Sequence, residues 1–346
     1  MKALKYVLFL LLIIGIGFAI YIAVQPNSFE VTRSHIINAP QQVVYNEVID
    51  LKNWEKWSAW KEMDPNMTIS YPEKTEGIGG SYTWEDEDGI GTMQTVAATP
   101  YDSIQLDMQF AEYPKSKVNW SFEPTENQKT KVTWSISGKD LPFQFKLFST
   151  LMGGMESEIG PAYERSLEML DSVIIADMKR YTINVEGITQ HSGGYYLYKS
   201  ASCKISDYAE KMKEVFPQVA AYAITYNISF AGAPFVYIEK WDETNDAVIF
   251  SCCVPTQTRI ITENPEILTG QLEPFTTLKT VLKGDYANLS EAWEKAFEFI
   301  ETHSDYELVE NGPMLETYPT DPSQVPNPAD WITEIFIAVK PNMTID

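Results

Sequence analysis

Residues 279–318 read KTVLKGDYANLSEAWEKAFEFIETHSDYELVENGPMLETY. Lys279 to Lys283 has the character of a strand, and Leu289 to Ile300 then carries apolar side chains at helical steps. An earlier stretch repeats this order. Lys199 to Cys203 precedes a helix-like Ile205 to Phe216, an offset of 80 residues. Pro234-Phe235-Val236-Tyr237 parallels Pro313-Met314-Leu315-Glu316 at an offset of 79. A further strand follows each, Ala247 to Val254 and Trp331 to Val339. The pattern is a strand–helix–strand–strand unit used twice. Two such units side by side predict one continuous sheet with a cleft along a pseudo-twofold axis. Residues 316 and 318 of an alternating strand share a face, so Glu316 and Tyr318 can converge on one ligand.

Upstream of this repeat the pattern changes. Phe29 to Ile37 alternates as a strand and is broken by Asn38-Ala39-Pro40. Gln41 to Ile49 has the spacing of a short helix, and Leu51 to Trp60 (LKNWEKWSAW) is rich in aromatics. Strand-like runs follow at Ile69–Tyr71, Gly80–Trp84, Thr92–Ala98, Ile104–Phe110, Val118–Glu123 and Lys131–Ser137. Ser149 to Ile174 then predicts one long helix, with Leu151, Met155, Ile159, Tyr163, Leu167 and Leu170 at steps of three and four. The expected class is α+β, an antiparallel sheet gripping a helix. The space between such a sheet and its helix is commonly a ligand cavity. Trp54, Trp57, Trp60, Trp84, Trp120 and Trp134 read as core and cavity wall.

The N-terminus is of a third kind. Tyr6 to Val24, YVLFLLLIIGIGFAIYIAV, runs for nineteen residues without a charge, Asn, Gln or Pro. A helix of that length spans about 28 Å, close to the thickness of a hydrocarbon core. Lys2 and Lys5 precede it, so the positive-inside rule predicts a cytoplasmic N-terminus and an extracytoplasmic remainder. A cleaved signal peptide is the competing reading. The apolar run is longer than the usual signal core, and no Ala-x-Ala site follows it. The expected organisation is an anchor over 1–27, a cavity domain over 28–178 and the repeated domain over 179–346. At about 150 residues per domain, 346 residues suit two soluble domains.

Charge and residue inventory narrow the function. With 26 Lys plus Arg against 48 Asp plus Glu, the net charge is −22, which opposes binding to nucleic acid. Cys203, Cys252 and Cys253 build no disulfide framework or Cys-x-x-Cys metal site, and His35, His191 and His303 lack zinc or triad spacing. Gly77-x-Gly79-Gly80 has no Gly-Lys-Ser/Thr ending and precedes a strand, which excludes a phosphate loop. Ser58-Ala59-Trp60-Lys61 lacks the partner motifs of a penicillin-binding site. No cofactor motif and no metal site is expected.

Two resemblances add to this reading. His35-Ile36-Ile37-Asn38-Ala39-Pro40 with Val43-Val44-Tyr45, Asp50-Leu51 and Trp54-x-x-Trp57-Ser58-x-Trp60 resembles the opening of the START-like, polyketide cyclase and lipid-transport superfamily (SRPBCC). Gly77-Ile78-Gly79-Gly80-Ser81-Tyr82-x-Trp84 and Gly89-Ile90-Gly91-Thr92-Met93 resemble its hairpin. Gly160-Pro161-x-Tyr163-Glu164-x-x-Leu167-x-x-Leu170 resembles its last helix. That family ranges from lipid carriers to cyclases and shares no catalytic set.

The second half resembles the GyrI-like, or effector-binding, domain of multidrug-responsive regulators. Lys283-Gly284-Asp285-Tyr286 leads into a helix with Trp293. Gly312-Pro313 precedes Glu316-x-Tyr318-x-x-Asp321-Pro322, and Thr333-Glu334-Ile335 closes the last strand. The resemblance implies an acidic residue at the floor of an aromatic-walled pocket for a cationic, lipophilic ligand. Such a carboxylate is costly until a cation arrives, and the rings add cation–π attraction. By motif position the acidic role falls to Glu316, with Glu334 second, and the walls to Tyr318, Trp293 and, through the repeat, Tyr237. Some relatives are hydrolases, which gives Glu316 and Tyr318 an alternative role as general base and orienting donor. There is no helix-turn-helix upstream, so transcriptional control is not implied.

The expectation is a membrane-anchored protein that binds a small lipophilic molecule, cations among the candidates, for sensing, sequestration or transfer. Its partners are that ligand and the membrane, with no nucleic acid. A hydrolase of small esters or carbonyl compounds is the alternative.

Overall fold

The computed structural model describes residues 2–342, so Met1 and the last four residues of the expected segment 179–346 lie outside it. The fold is mixed α+β with two antiparallel sheets, and the chain divides into two compact units, Met1–Asp177 and Met178–Asp346.

The first unit opens with α1 (Lys2–Ala23), in which Leu4–Ala23 has a mean hydropathy of 2.6. That length and composition suit a membrane span, and a signal sequence shares them. The elements β1 (Ser28–Ile37), α2 (Gln41–Ile49), α3 (Ala59–Met63), β2 (Thr68–Ser70) and β3 (Ser81–Asp86) follow. They are succeeded by β4 (Gly89–Thr99), β5 (Ser103–Phe110), β6 (Ser116–Pro124) and β7 (Thr130–Lys139). The sheet runs β1-β7-β6-β5-β4-β3-β2, its first and last-formed strands paired from Ser28↔Lys139 to Ile37↔Thr130.

Two helices close the unit, α4 (Phe143–Leu151) and α5 (Met155–Met178). The single helix expected from Ser149 is therefore two. Gly153 and Gly154 sit at φ +90° and +99°, a left-handed conformation that ends one helix before the next begins. The apolar period across 149–174 concealed the break because Leu151 and Met155 kept their spacing.

α5 buries Tyr163, Leu167, Leu170 and Ile174. Tyr163 stacks on Trp134 of β7 at 3.6 Å between ring centroids, and Trp134 stacks in turn on Trp120 at 4.4 Å. Trp57 meets both indoles edge to face. The centre of this unit is occupied by aromatic rings in mutual contact.

The second unit begins with β8 (Thr182–His191), β9 (Gly194–Cys203), α6 (Tyr208–Thr225), β10 (Phe235–Asp242) and β11 (Ala247–Thr256). It continues with β12 (Leu268–Leu272), β13 (Phe275–Lys283), α7 (Leu289–Thr302), β14 (Tyr306–Leu308), β15 (Met314–Thr317) and β16 (Ile332–Pro341). β12, an edge strand, has no counterpart in the sequence reading. The sheet runs β12-β9-β11-β10-β15-β16-β13-β8, with β14 added on β16. The inner six strands mirror one another about the β10·β15 pair, as expected for a unit used twice. α6 packs on β9 and β11, and α7 packs on β13, β8 and β16. One sheet face, with Val236, Phe250, Cys252 and Ile335, is thereby buried under the helices. The opposite face carries Phe235, Cys253, Leu315 and Phe336, with Tyr196 and Tyr237 against them.

Candidate functional site

Glu316 lies on β15, at the seam where the two repeats join. Its register partners are Val236 on β10 and Ile335 on β16, both on the helix-covered face. The side chain therefore rises between α6 and α7, and the residue is only 2% exposed. Three donors converge on its carboxylate. Tyr208, the first residue of α6, donates its hydroxyl to Oε2 at 2.8 Å. Tyr318 donates to the same oxygen at 2.6 Å, and the Trp293 indole N–H on α7 donates to Oε1 at 2.7 Å. Each repeat thus contributes its helix, and the seam strand contributes the acceptor.

All three partners are uncharged, and all are donors, the complement of an ionised carboxylate. All three bonds are of full hydrogen-bond length, and that from Tyr318 is the shortest. Burial pushes the Tyr318 hydroxyl well above its ordinary value, with the Glu316 charge adding to it. The Tyr208 hydroxyl is raised in the same way and for the same two reasons. Both phenols therefore stay protonated at neutral pH and act as donors.

Aromatic rings close the surroundings. Tyr318 is held edge to face by Tyr286 at 5.5 Å and by Phe216 at 6.0 Å. Tyr208 meets Phe250 at 4.9 Å and Trp241 at 5.6 Å in the same manner. The backbone of Tyr318 is fixed by its N–H donating to the Pro234 carbonyl at 2.9 Å, just beyond the end of β15.

The structure brings together Glu316, Tyr318 and Trp293. It separates the other two expected site residues from them. Glu334 stands opposite Thr317 across the β15·β16 pair and lies on the face away from α6 and α7, where its Oε1 pairs with Lys279 Nζ at 3.0 Å. Tyr237 stands opposite Leu315 and packs with Phe235 and Phe336 on that same face. The antiparallel pairing sets Val236 beside Glu316, and Tyr237, one residue on, therefore points to the other face.

Tyr208 was not anticipated. Its place in the first repeat corresponds to Leu289 in the second, so the duplication carries no sign of its hydroxyl. Only the folded contact between helix start and seam strand exposes it.

Residues 196–340 match the family model described as the GyrI-like small molecule binding domain. The chain therefore carries a domain of the small-molecule-binding class, and the domain is GyrI-like. Solved structures similar to the chain include the C-terminal domain of EcmrR, at 15% identity over 46% of this chain and 98% of that one, TM-score 0.40. EcmrR in an EcmrR–DNA complex is similar at 15% identity, covering 57% of this chain and 83% of that one, TM-score 0.40. Protein CV1439 from Chromobacterium violaceum is similar at 16% identity, over 43% and 98%, TM-score 0.32. No curated protein matches the chain.

Proposed function

We propose that the GyrI-like domain binds a small lipophilic cation at Glu316, and that α1 anchors the chain in a membrane with both units on the extracytoplasmic side. One observation carries the reading: a buried carboxylate whose three partners are neutral donors, inside a small-molecule binding domain. A cation entering this low-dielectric site gains Coulomb attraction that no neutral donor supplies, and the surrounding rings add cation–π contacts. Because Glu316 is closed off, entry requires at least one of its donors to move aside.

The test uses the full chain in detergent micelles with tetraphenylphosphonium as the cation and triphenylphosphine oxide as the neutral probe. Ligand at a hundred times its Kd stabilises the folded state by about 2.7 kcal/mol, a plain rise in melting temperature. The rise is expected with the cation alone, and Glu316→Gln abolishes it. Equal shifts with both probes, or none with a panel of lipophilic cations, would sink the reading.

The hydrolase alternative uses the same Glu316–Tyr318 pair at 2.6 Å. Tyr318 in that role orients substrate, since its proton is held against loss. Turnover of a small ester that vanishes in Tyr318→Phe would establish it.

For residues 28–178 we propose the START-like reading. It is supported by a long helix joined to a seven-stranded sheet through Trp134 and Tyr163. A lipophilic guest in that unit would have to part the rings at its centre.

A further inference from the structure

We propose that α4 is a second membrane contact, an interfacial helix whose outward face lies in the bilayer that α1 spans. The inference rests on the anchor reading of α1. α4 is FQFKLFSTL, and Phe143, Phe148, Leu151 and the following Met152 are 45% to 67% exposed. At 100° per residue these four fall within one half of the helix circumference, with Gln144 the exposed polar residue among them and no charge on that side. The inward side is well occupied. Phe145 stacks on Phe29 at 5.9 Å and meets Tyr113 edge to face at 5.2 Å.

Two independent contacts fix where this apolar face sits. Lys146 Nζ, from the inner side of α4, donates to the Gln25 carbonyl at 3.0 Å and the Ala23 carbonyl at 3.5 Å. It thereby caps carbonyls that the end of α1 leaves without helical partners, and its charge suits the negative end of the helix dipole. The sheet returns α4 to the same place. Ser28 and Lys139 are paired at the end of the β1·β7 ladder, and Leu141 N–H donates to the Asn27 carbonyl at 3.4 Å. α4 is therefore held at the level where α1 leaves the hydrocarbon.

Four large apolar side chains at that depth face either water or the headgroup–acyl boundary. Apolar burial favours the boundary, where amphipathic helices lie about 5–10 Å deep. The contact would set the orientation of the first unit against the membrane, which a single flexible tether cannot do. The occupant is the phospholipid surface, because the face adjoins the exit point of the spanning helix.

The experiment places spin labels on the full chain, reconstituted in phosphatidylcholine vesicles, at Phe148→Cys and Leu151→Cys in a Cys203→Ser background. Ile13→Cys reports the spanning helix. Glu126→Cys, in the turn at the opposite end of the β1·β7 ladder, reports water. Collision with oxygen relative to a water-soluble nickel chelate is expected to be highest at 13, several-fold above the water value at 148 and 151, and lowest at 126. Labels at 148 and 151 as wet as 126, with 13 in lipid, overturn the second contact and leave the anchor intact. Labels at 148 and 151 shielded from both reagents mean protein covers the face, and also overturn it. A wet label at 13 removes the anchor reading and the interfacial helix with it.

Discussion

Both units gather indole and phenol groups at their centres, yet they treat the polar atoms of those rings in opposite ways. In the first unit the indole N–H groups of Trp57, Trp120 and Trp134 are buried with no hydrogen-bond acceptor among the described residues. Their rings are packed edge to face and stacked on one another, so the contacts that hold them run between rings rather than through these N–H groups. In the second unit one indole and two phenols all find Glu316. The first centre is held by ring contact and tolerates orphaned donors. The second is organised around an acceptor, and an acceptor that neutral donors satisfy can be satisfied instead by a cation. Aromatic content alone does not separate a core from a site. The charge that the rings surround does.

The sharpest way to break that contrast is to delete the acceptor. Glu316→Ala takes the shared acceptor from two hydroxyls and an indole N–H, leaving only the weak contact of the Tyr318 hydroxyl with Met212 Sδ at 3.7 Å. A buried donor left unmet costs about 1–3 kcal/mol, and the three act on one site, so the expected loss is about 3–5 kcal/mol. Urea unfolding followed in the second unit measures it. A loss under about 1 kcal/mol would mean the donors find water easily and the site is open rather than closed.

A matched pair of substitutions sharpens the contrast further. Trp293→Phe removes a donor from a charged acceptor and is expected to cost about 2–3 kcal/mol, since hydrogen bonds to charged groups are worth about 1.5–3 kcal/mol. Trp134→Phe removes an N–H that has no partner. Its cost is ring area alone, partly offset by relief of the orphaned donor, and is expected near about 1 kcal/mol. The burial of the two rings favours the reverse order, because Trp134 is 2% exposed while Trp293 is only partly buried. The order of the two costs therefore decides whether hydrogen bonding or packing dominates.

Much of this was visible in the chain before folding, and what was hidden has a common cause. Alternation marked β4, β6 and β7, in which buried positions recur at every second residue. The repeat marked the seam, and Glu316, Tyr318 and Trp293 stood at motif positions that survive into the structure as neighbours. Register was hidden. A motif position or a repeat offset does not say which way a strand residue faces, and Tyr237 and Glu334 face away from Glu316. Tyr208 was hidden because its meeting with Glu316 spans 108 positions along the chain. The break between α4 and α5 was written in Gly153-Gly154, but the apolar spacing on either side argued for continuity. α4 itself escaped because its exposed residues, Gln144 aside, are apolar, the opposite of what a surface helix in water shows.

Glu334 provides the smallest expected effect and the cleanest control. It is the chain neighbour of Ile335, the register partner of Glu316, yet faces away from Glu316, paired with Lys279, which also holds Glu186 at 3.2 Å. Removing one of two partners from a partly buried lysine that keeps Glu186 is expected to cost under about 1 kcal/mol, so Glu334→Gln should barely move the unfolding midpoint. It should also leave cation binding unchanged, measured by the same melting shift that Glu316→Gln abolishes. Both residues are acidic, both belong to the GyrI-like stretch, and both lie on neighbouring strands. Only the side of the sheet differs. If Glu334→Gln weakens binding as much as Glu316→Gln does, the ligand reaches the face away from the helices, where Tyr237 and Phe336 would supply its walls, and the buried carboxylate is a structural bond rather than a receptor.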